Sequence, residues 1–191
     1  MIESFFASLA VVAFAEIGDK TMLLAIVLAA RFRAPWQILA GIFGATIANH
    51  ALAAAVGSQV AGLLDATWFR LAVALGFIAM AAWILVPDSI DDDEDSHKHL
   101  GSAFLTTLVA FFIVEMGDKT QIATIALGAQ YQDIISVAAG TTIGMMVANT
   151  PAVFLGDKLV ERISLKATRV AAAMIFLGLG LWQLAKLTSL A

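Results

Sequence analysis

The chain has 191 residues, of which 61% are apolar and 14% charged, with a formal net charge of −4. Soluble domains carry roughly 25% charged residues. Here apolar runs of about 20 residues cover nearly the whole length, which excludes a water-soluble catalytic domain. Cysteine is absent, so disulfides and thiolate metal ligands are excluded too.

Six apolar runs, over 4–30, 35–57, 67–86, 102–130, 134–156 and 168–187, are each long enough to cross a hydrocarbon core of about 30 Å. The chain opens Met1-Ile2-Glu3 with no basic stretch, so the first run is expected to be a retained span and not a cleaved signal. It holds Glu16-Ile17-Gly18-Asp19-Lys20-Thr21. The second run carries Asn49 and His50, and the third ends near Trp83, which with Trp182 suits an interfacial aromatic belt. Residues 88–99 form the one strongly polar stretch, rich in Asp. It lacks the central Gly and terminal Glu of a calcium loop. A solvated linker is therefore the first reading and a regulatory cation site the second. The fourth run repeats the motif as Glu115-Met116-Gly117-Asp118-Lys119-Thr120, followed by Gln121. The fifth holds Asn149 and Pro151, which is expected to kink it. Gly156-Asp157-Lys158, at the end of that run, reads as an interfacial anchor.

Shifted by 99 residues, the sequence matches itself beyond the motifs: Gly41 falls on Gly140, Gly57 on Gly156, Arg70 on Arg169, Phe77 on Phe176 and Trp83 on Trp182. One gapless register through three runs indicates an internal duplication. With three spans per copy, the second copy must insert upside down, an architecture that places a transport site where the copies meet. The expected fold is an all-α membrane protein of six transmembrane helices in two inverted repeats. These are residues 1–87, an acidic linker over 88–99, and residues 100–191. Arg31, Arg33, Lys98, Lys158, Arg162, Lys166 and Arg169 fall on one side and only Arg70 and Lys186 on the other. That bias makes the linker cytoplasmic and places both termini outside.

Charges at the centre of a span cost at least ~2.5–3.5 kcal/mol each, and two matched triplets of them imply a ligand. On a continuous helix Glu16, Asp19 and Lys20 share one face, as do Glu115, Asp118 and Lys119. Two-fold packing would bring Glu16, Asp19, Glu115 and Asp118 together as a hard-oxygen cation site. Thr21 and Thr120 add hydroxyls. Gly18 and Gly117 admit a neighbouring helix or let the backbone unwind. Four carboxylates and two lysines sum to −2, which one divalent cation or two protons would cancel. Metal and protons would then compete for the same groups, as an antiporter requires. The alternative reading, a salt-bridge lock between helices, uses buried ion pairs that repay little beyond their desolvation. Asn49, Asn149 and His50 are candidates to complete the coordination sphere or to hydrogen-bond a motif carboxylate. A polar contact between helices is the competing role. Gln121, opposite Met22 in the repeat register, is either a tuner of metal choice or a lining residue.

The doubled Glu-x-Gly-Asp-Lys-Thr segment, in the first and fourth of six spans, resembles the signature of the GDT family. That family includes Golgi Ca²⁺/Mn²⁺ transporters of eukaryotes and manganese exporters of bacteria. The resemblance covers the whole chain and departs at no motif position. It implies a cation–proton antiporter that exports Mn²⁺ or Ca²⁺ from the cytoplasm. The brevity of the chain favours a manganese exporter in the inner (plasma) membrane of a bacterium. Glu16, Asp19, Glu115 and Asp118 are the expected metal ligands, supported by Lys20, Thr21, Lys119, Thr120, Gly18, Gly117, Asn49, Asn149 and Gln121. No resident cofactor and no nucleic-acid partner are expected. The partners are the divalent ion, protons and the lipid bilayer, with a homo-oligomer left open. Export of a cationic organic solute competes but lacks an aromatic lining. An intramembrane phosphate hydrolase lacks Arg or His in the motifs, and a scaffold leaves two carboxylate sets unexplained.

Overall fold

The computed structural model describes residues 1–63, 66–86, 101–156 and 165–188. The acidic linker over 88–99 with its Lys98, and Asp157, Lys158 and Arg162, lie outside the described residues. Within them the chain forms helices and no strands: α1 (Ile2–Glu16), α2 (Lys20–Phe32), α3 (Pro35–Leu63), α4 (Ala66–Trp83), α5 (Ala103–Glu115), α6 (Lys119–Tyr131), α7 (Ile134–Leu155) and α8 (Leu165–Thr188). Three are long and apolar enough to cross a membrane: Pro35–Ala61 in α3, Ile134–Leu155 in α7 and Lys166–Leu187 in α8. The α7 helix continues through Pro151.

The first and fourth apolar runs are not continuous helices. Each breaks inside its motif. Gly18 and Gly117 adopt φ of 85° and 79°, a left-handed conformation that stops a helix and that glycine enters without steric cost. The next residue, Asp19 or Asp118, is extended and opens the following helix as its N-cap. The second half-helices also end alike, with Arg33 and Gln132 left-handed at φ of 50° and 51°. A sharp turn then leads to α3 or α7. Asp133 caps α7 by accepting from the Ser136 backbone N–H, and it accepts from Ser4 Oγ at the start of α1.

Helix α1 packs on α7, α3 on α5 and α6, and α4 on α8. Backbones touch where side chains vanish, the usual means of tight packing in an apolar solvent. A Cβ on Gly41 of α3 would lie 2.8 Å from the Phe104 carbonyl oxygen and 2.8 Å from Thr107 Cβ on α5. A Cβ on Gly140 of α7 would meet the Phe5 carbonyl and Ser8 Cβ on α1. Adding 99 to Gly41, Phe5 and Ser8 gives Gly140, Phe104 and Thr107, so the two contacts use equivalent residues. Phe77 and Phe176, also equivalent, are fully buried against each other with ring centres 6.2 Å apart.

Candidate metal centre

The two breaks create the centre. At each, a half-helix ends on a Glu and the next begins on an Asp three residues later, so both carboxylates converge on a gap in the backbone ladder. Acidic N-caps also complement the positive ends of α2 and α6. Oxygens of Glu16, Asp19 and Asp118 lie within 4.8 Å of one another, and all three residues are buried. Glu115 is fully buried, outside that trio, and linked to it through the Thr120 hydroxyl, which meets both Glu115 Oε2 and Asp118 Oδ2. The four motif carboxylates thus share one apolar interior. The shared face of an unbroken helix does not bring them there; the bend at each glycine does.

Lys20 of the first motif reaches the second, its Nζ 3.5 Å from Asp118 Oδ1. Lys119 is buried and donates to the Val86 carbonyl at 3.2 Å, just beyond α4. The motif threonines face their own glutamates. Thr21 Oγ1 donates to Glu16 Oε2, and Thr120 Oγ1 donates to Glu115 Oε2 at 2.9 Å. Thr120 also meets Asp118 Oδ2, through its backbone N–H at 3.4 Å and its hydroxyl at 3.5 Å. The other glutamate oxygens, Glu16 Oε1 and Glu115 Oε1, are buried with no hydrogen-bond partner. A buried carboxylate oxygen left so costs desolvation with no return unless something binds it. As hard oxygens in a buried setting, these donors suit a divalent cation or a proton.

The remaining candidates divide. Asn49 Nδ2 donates to the Phe112 carbonyl at 3.1 Å and so ties α3 to α5. Asn149 Nδ2 donates to the Met145 carbonyl of its own helix at 3.1 Å, while its buried Oδ1 has no hydrogen-bond partner. His50 is buried with neither ring nitrogen hydrogen-bonded. Gln121 Oε1 accepts from the Gly117 N–H at 2.7 Å, so it braces the second break. A residue the sequence did not signal braces the first: Thr168 Oγ1 of α8 donates to the Ile17 carbonyl at 3.3 Å. The two breaks differ in exposure as well, since Gly18 is buried and Gly117 exposed.

The chain is similar to known proteins along most of its length. A family model described as "Divalent cation/proton antiporter GDT1" matches residues 4–92 and 103–189, segments whose starts are 99 residues apart. A Vibrio cholerae protein named "Putative manganese exporter" is 47% identical over 171 residues, 89% of this chain and 84% of its own length. GDT1-like protein 5 of Arabidopsis thaliana is 29% identical over 222 residues, 96% of each chain. A GDT1-like protein of Synechocystis is 28% identical over 196 residues, covering 92% of this chain and 94% of its own. No solved structure matches. The chain belongs to the GDT1 family of divalent cation/proton antiporters, and with its apolar helices it is an integral membrane protein that transports divalent cations.

Proposed function

We propose that this GDT1-family chain exports Mn²⁺ from the cytoplasm in exchange for protons, through one site made by Glu16, Asp19, Glu115 and Asp118. The observation that carries the reading is the buried trio of Glu16, Asp19 and Asp118, whose oxygens lie within 4.8 Å of one another. That spacing lets a single bound ion reach all three carboxylates at once. The V. cholerae relative's name supports manganese as cargo and outward movement as direction. Ca²⁺ is the second substrate, since it also binds carboxylate oxygen.

The architecture we propose is six spans in two inverted repeats, residues 1–87 and 100–191 joined by a cytoplasmic linker. The broken pairs α1–α2 and α5–α6 form the first and fourth spans. Support comes from the equivalent contacts at Gly41 and Gly140 and from Phe77 stacking on its own counterpart, Phe176. Broken helices meeting at the repeat interface are where transporters hold their ions. Both termini lie outside, in the inner membrane of a bacterium, on the strength of the Lys and Arg bias. Since four carboxylates and two lysines sum to −2, loading one Mn²⁺ displaces two protons and keeps the site neutral.

Calorimetry of Mn²⁺ binding to the purified full chain, in buffers of different ionisation enthalpy, tests this. The reading requires one ion per chain, proton release on binding, and loss of binding in Asp118→Asn. Binding that releases no proton, or that survives this substitution unchanged, overturns it.

A further inference from the structure

Helix α3 runs first along α5 and then along α6, the half-helices on either side of the second break. Gly41 lies against Phe104 and Thr107, Gly44 against Leu108, and Asn49 bonds the Phe112 carbonyl, whereas Ala54 lies against Gly128. His50 therefore sits where α3 passes from α5 to α6, level with the end of α5 at Glu115. The equivalent helix α7 follows the same course on α1. Gly140 meets Phe5 and Ser8, and Gly144 meets Leu9, Val12 and Ala13. One turn further, Asn149 is level with Glu16. The 99-residue register makes His50 and Asn149 counterparts. Both are fully buried, and both ring nitrogens of His50 and Oδ1 of Asn149 have no hydrogen-bond partner. A buried imidazole left so costs desolvation with no return. Were packing its whole role, an apolar side chain would fill the space at no such cost.

We infer that His50 supplies a nitrogen ligand to the transported ion at the second break, and so favours first-row transition ions such as Mn²⁺ over Ca²⁺. The inference rests on the proposed cation site and deepens it. Like Glu115, His50 stands outside the close trio, and the ion gains both by shifting from the trio toward the second break. Neutral imidazole, the ligating form, adds a donor and no charge, so the motif sum of −2 is kept. Ca²⁺ is a hard ion that takes oxygen ligands. Nitrogen donors bind first-row divalent ions with an affinity that rises from Mn²⁺ to Co²⁺. Asn149, in the matching place beside the first break, offers an oxygen that serves either class of ion. The discrimination therefore comes from one repeat alone.

The test uses the full chain in detergent with His97→Asn and His99→Asn, which leaves His50 as its one histidine. Spin-echo spectra of Mn²⁺ bound to this protein should show coupling to a nitrogen nucleus, and adding His50→Asn should remove it. Coupling that is absent, or that persists in His50→Asn, overturns the inference. The first of these readouts needs no substitution at His50 to fold. Calorimetric affinities for Co²⁺, Mn²⁺ and Ca²⁺ give the second. His50→Asn, which copies Asn149 of the other repeat, should weaken Mn²⁺ binding about tenfold, the effect of ~1.4 kcal/mol. The loss should be larger for Co²⁺, and Ca²⁺ should stay within about twofold. A merely structural role would weaken all three ions alike. Equal losses therefore overturn the inference while leaving the cation site in place. A wild type that binds none of the three overturns the site itself.

Discussion

Lys20 in the first motif and Asp118 in the second are 98 residues apart in sequence, yet Nζ and Oδ1 lie 3.5 Å apart. A lysine of the first motif thus balances part of the second motif's charge. Asp118 is buried and Lys20 half-buried, so removing either partner strands the other at a cost below the ~3–5 kcal/mol of a fully buried pair. Lys20→Met and Asp118→Asn should each lower the thermal midpoint in detergent, and the double variant should recover part of the loss. Additive losses would show that the two side chains do not act on each other.

A second prediction concerns the close approach of α3 and α6. A Cβ on Gly57 would collide with the Ile125 carbonyl and lie 2.8 Å from the Ala129 backbone nitrogen. Gly57→Ala should therefore destabilise the protein by about 1–3 kcal/mol, the usual cost of overpacking. Gly178→Ala is the control, because beyond its own stretch of helix nothing lies within 4 Å of the added carbon. It should be neutral or gain about 0.5–1 kcal/mol from helix propensity. Thermal melts of the two variants check both signs.

Gln121 gives a contrast with the threonines. Its Oε1 accepts from the Gly117 backbone N–H. Gln121→Met, which copies Met22 of the other repeat, should cost about 1 kcal/mol of stability. The ratio of Mn²⁺ to Ca²⁺ transport should not change. A shifted ratio would return Gln121 to the role of tuning metal choice.

Much of this was legible in the sequence, and the reason is the 99-residue register. It pairs Phe77 with Phe176 and Gly41 with Gly140 before any coordinates exist. Unwinding was one of two roles open to Gly18 and Gly117, and apolar content over residues 4–30 and 102–130 does not choose between them. A span interrupted by two or three residues keeps its mean hydropathy. The signal was nevertheless present, since Gly followed by Asp is a helix stop followed by a helix start. A shared face for Glu16, Asp19 and Lys20 needs an unbroken helix, which would point Thr21 away from Glu16. For Asn49 the sequence left two roles open, coordination and a contact between helices, and its bond to Phe112 supports the second. Thr168 was not legible, because its counterpart in the register is Phe69, which shares no chemistry with it.

The central claim is that the four motif carboxylates trade one divalent ion for protons. Proteoliposomes holding Mn²⁺ and a pH-sensitive dye, with the acidic side corresponding to the cell exterior, test it most directly. Mn²⁺ should leave the cytoplasm-equivalent compartment as protons enter, two for each ion, with little effect of clamped voltage, and Asp118→Ala should stop both fluxes. Mn²⁺ flux without proton movement, or undiminished flux in Asp118→Ala, would contradict it.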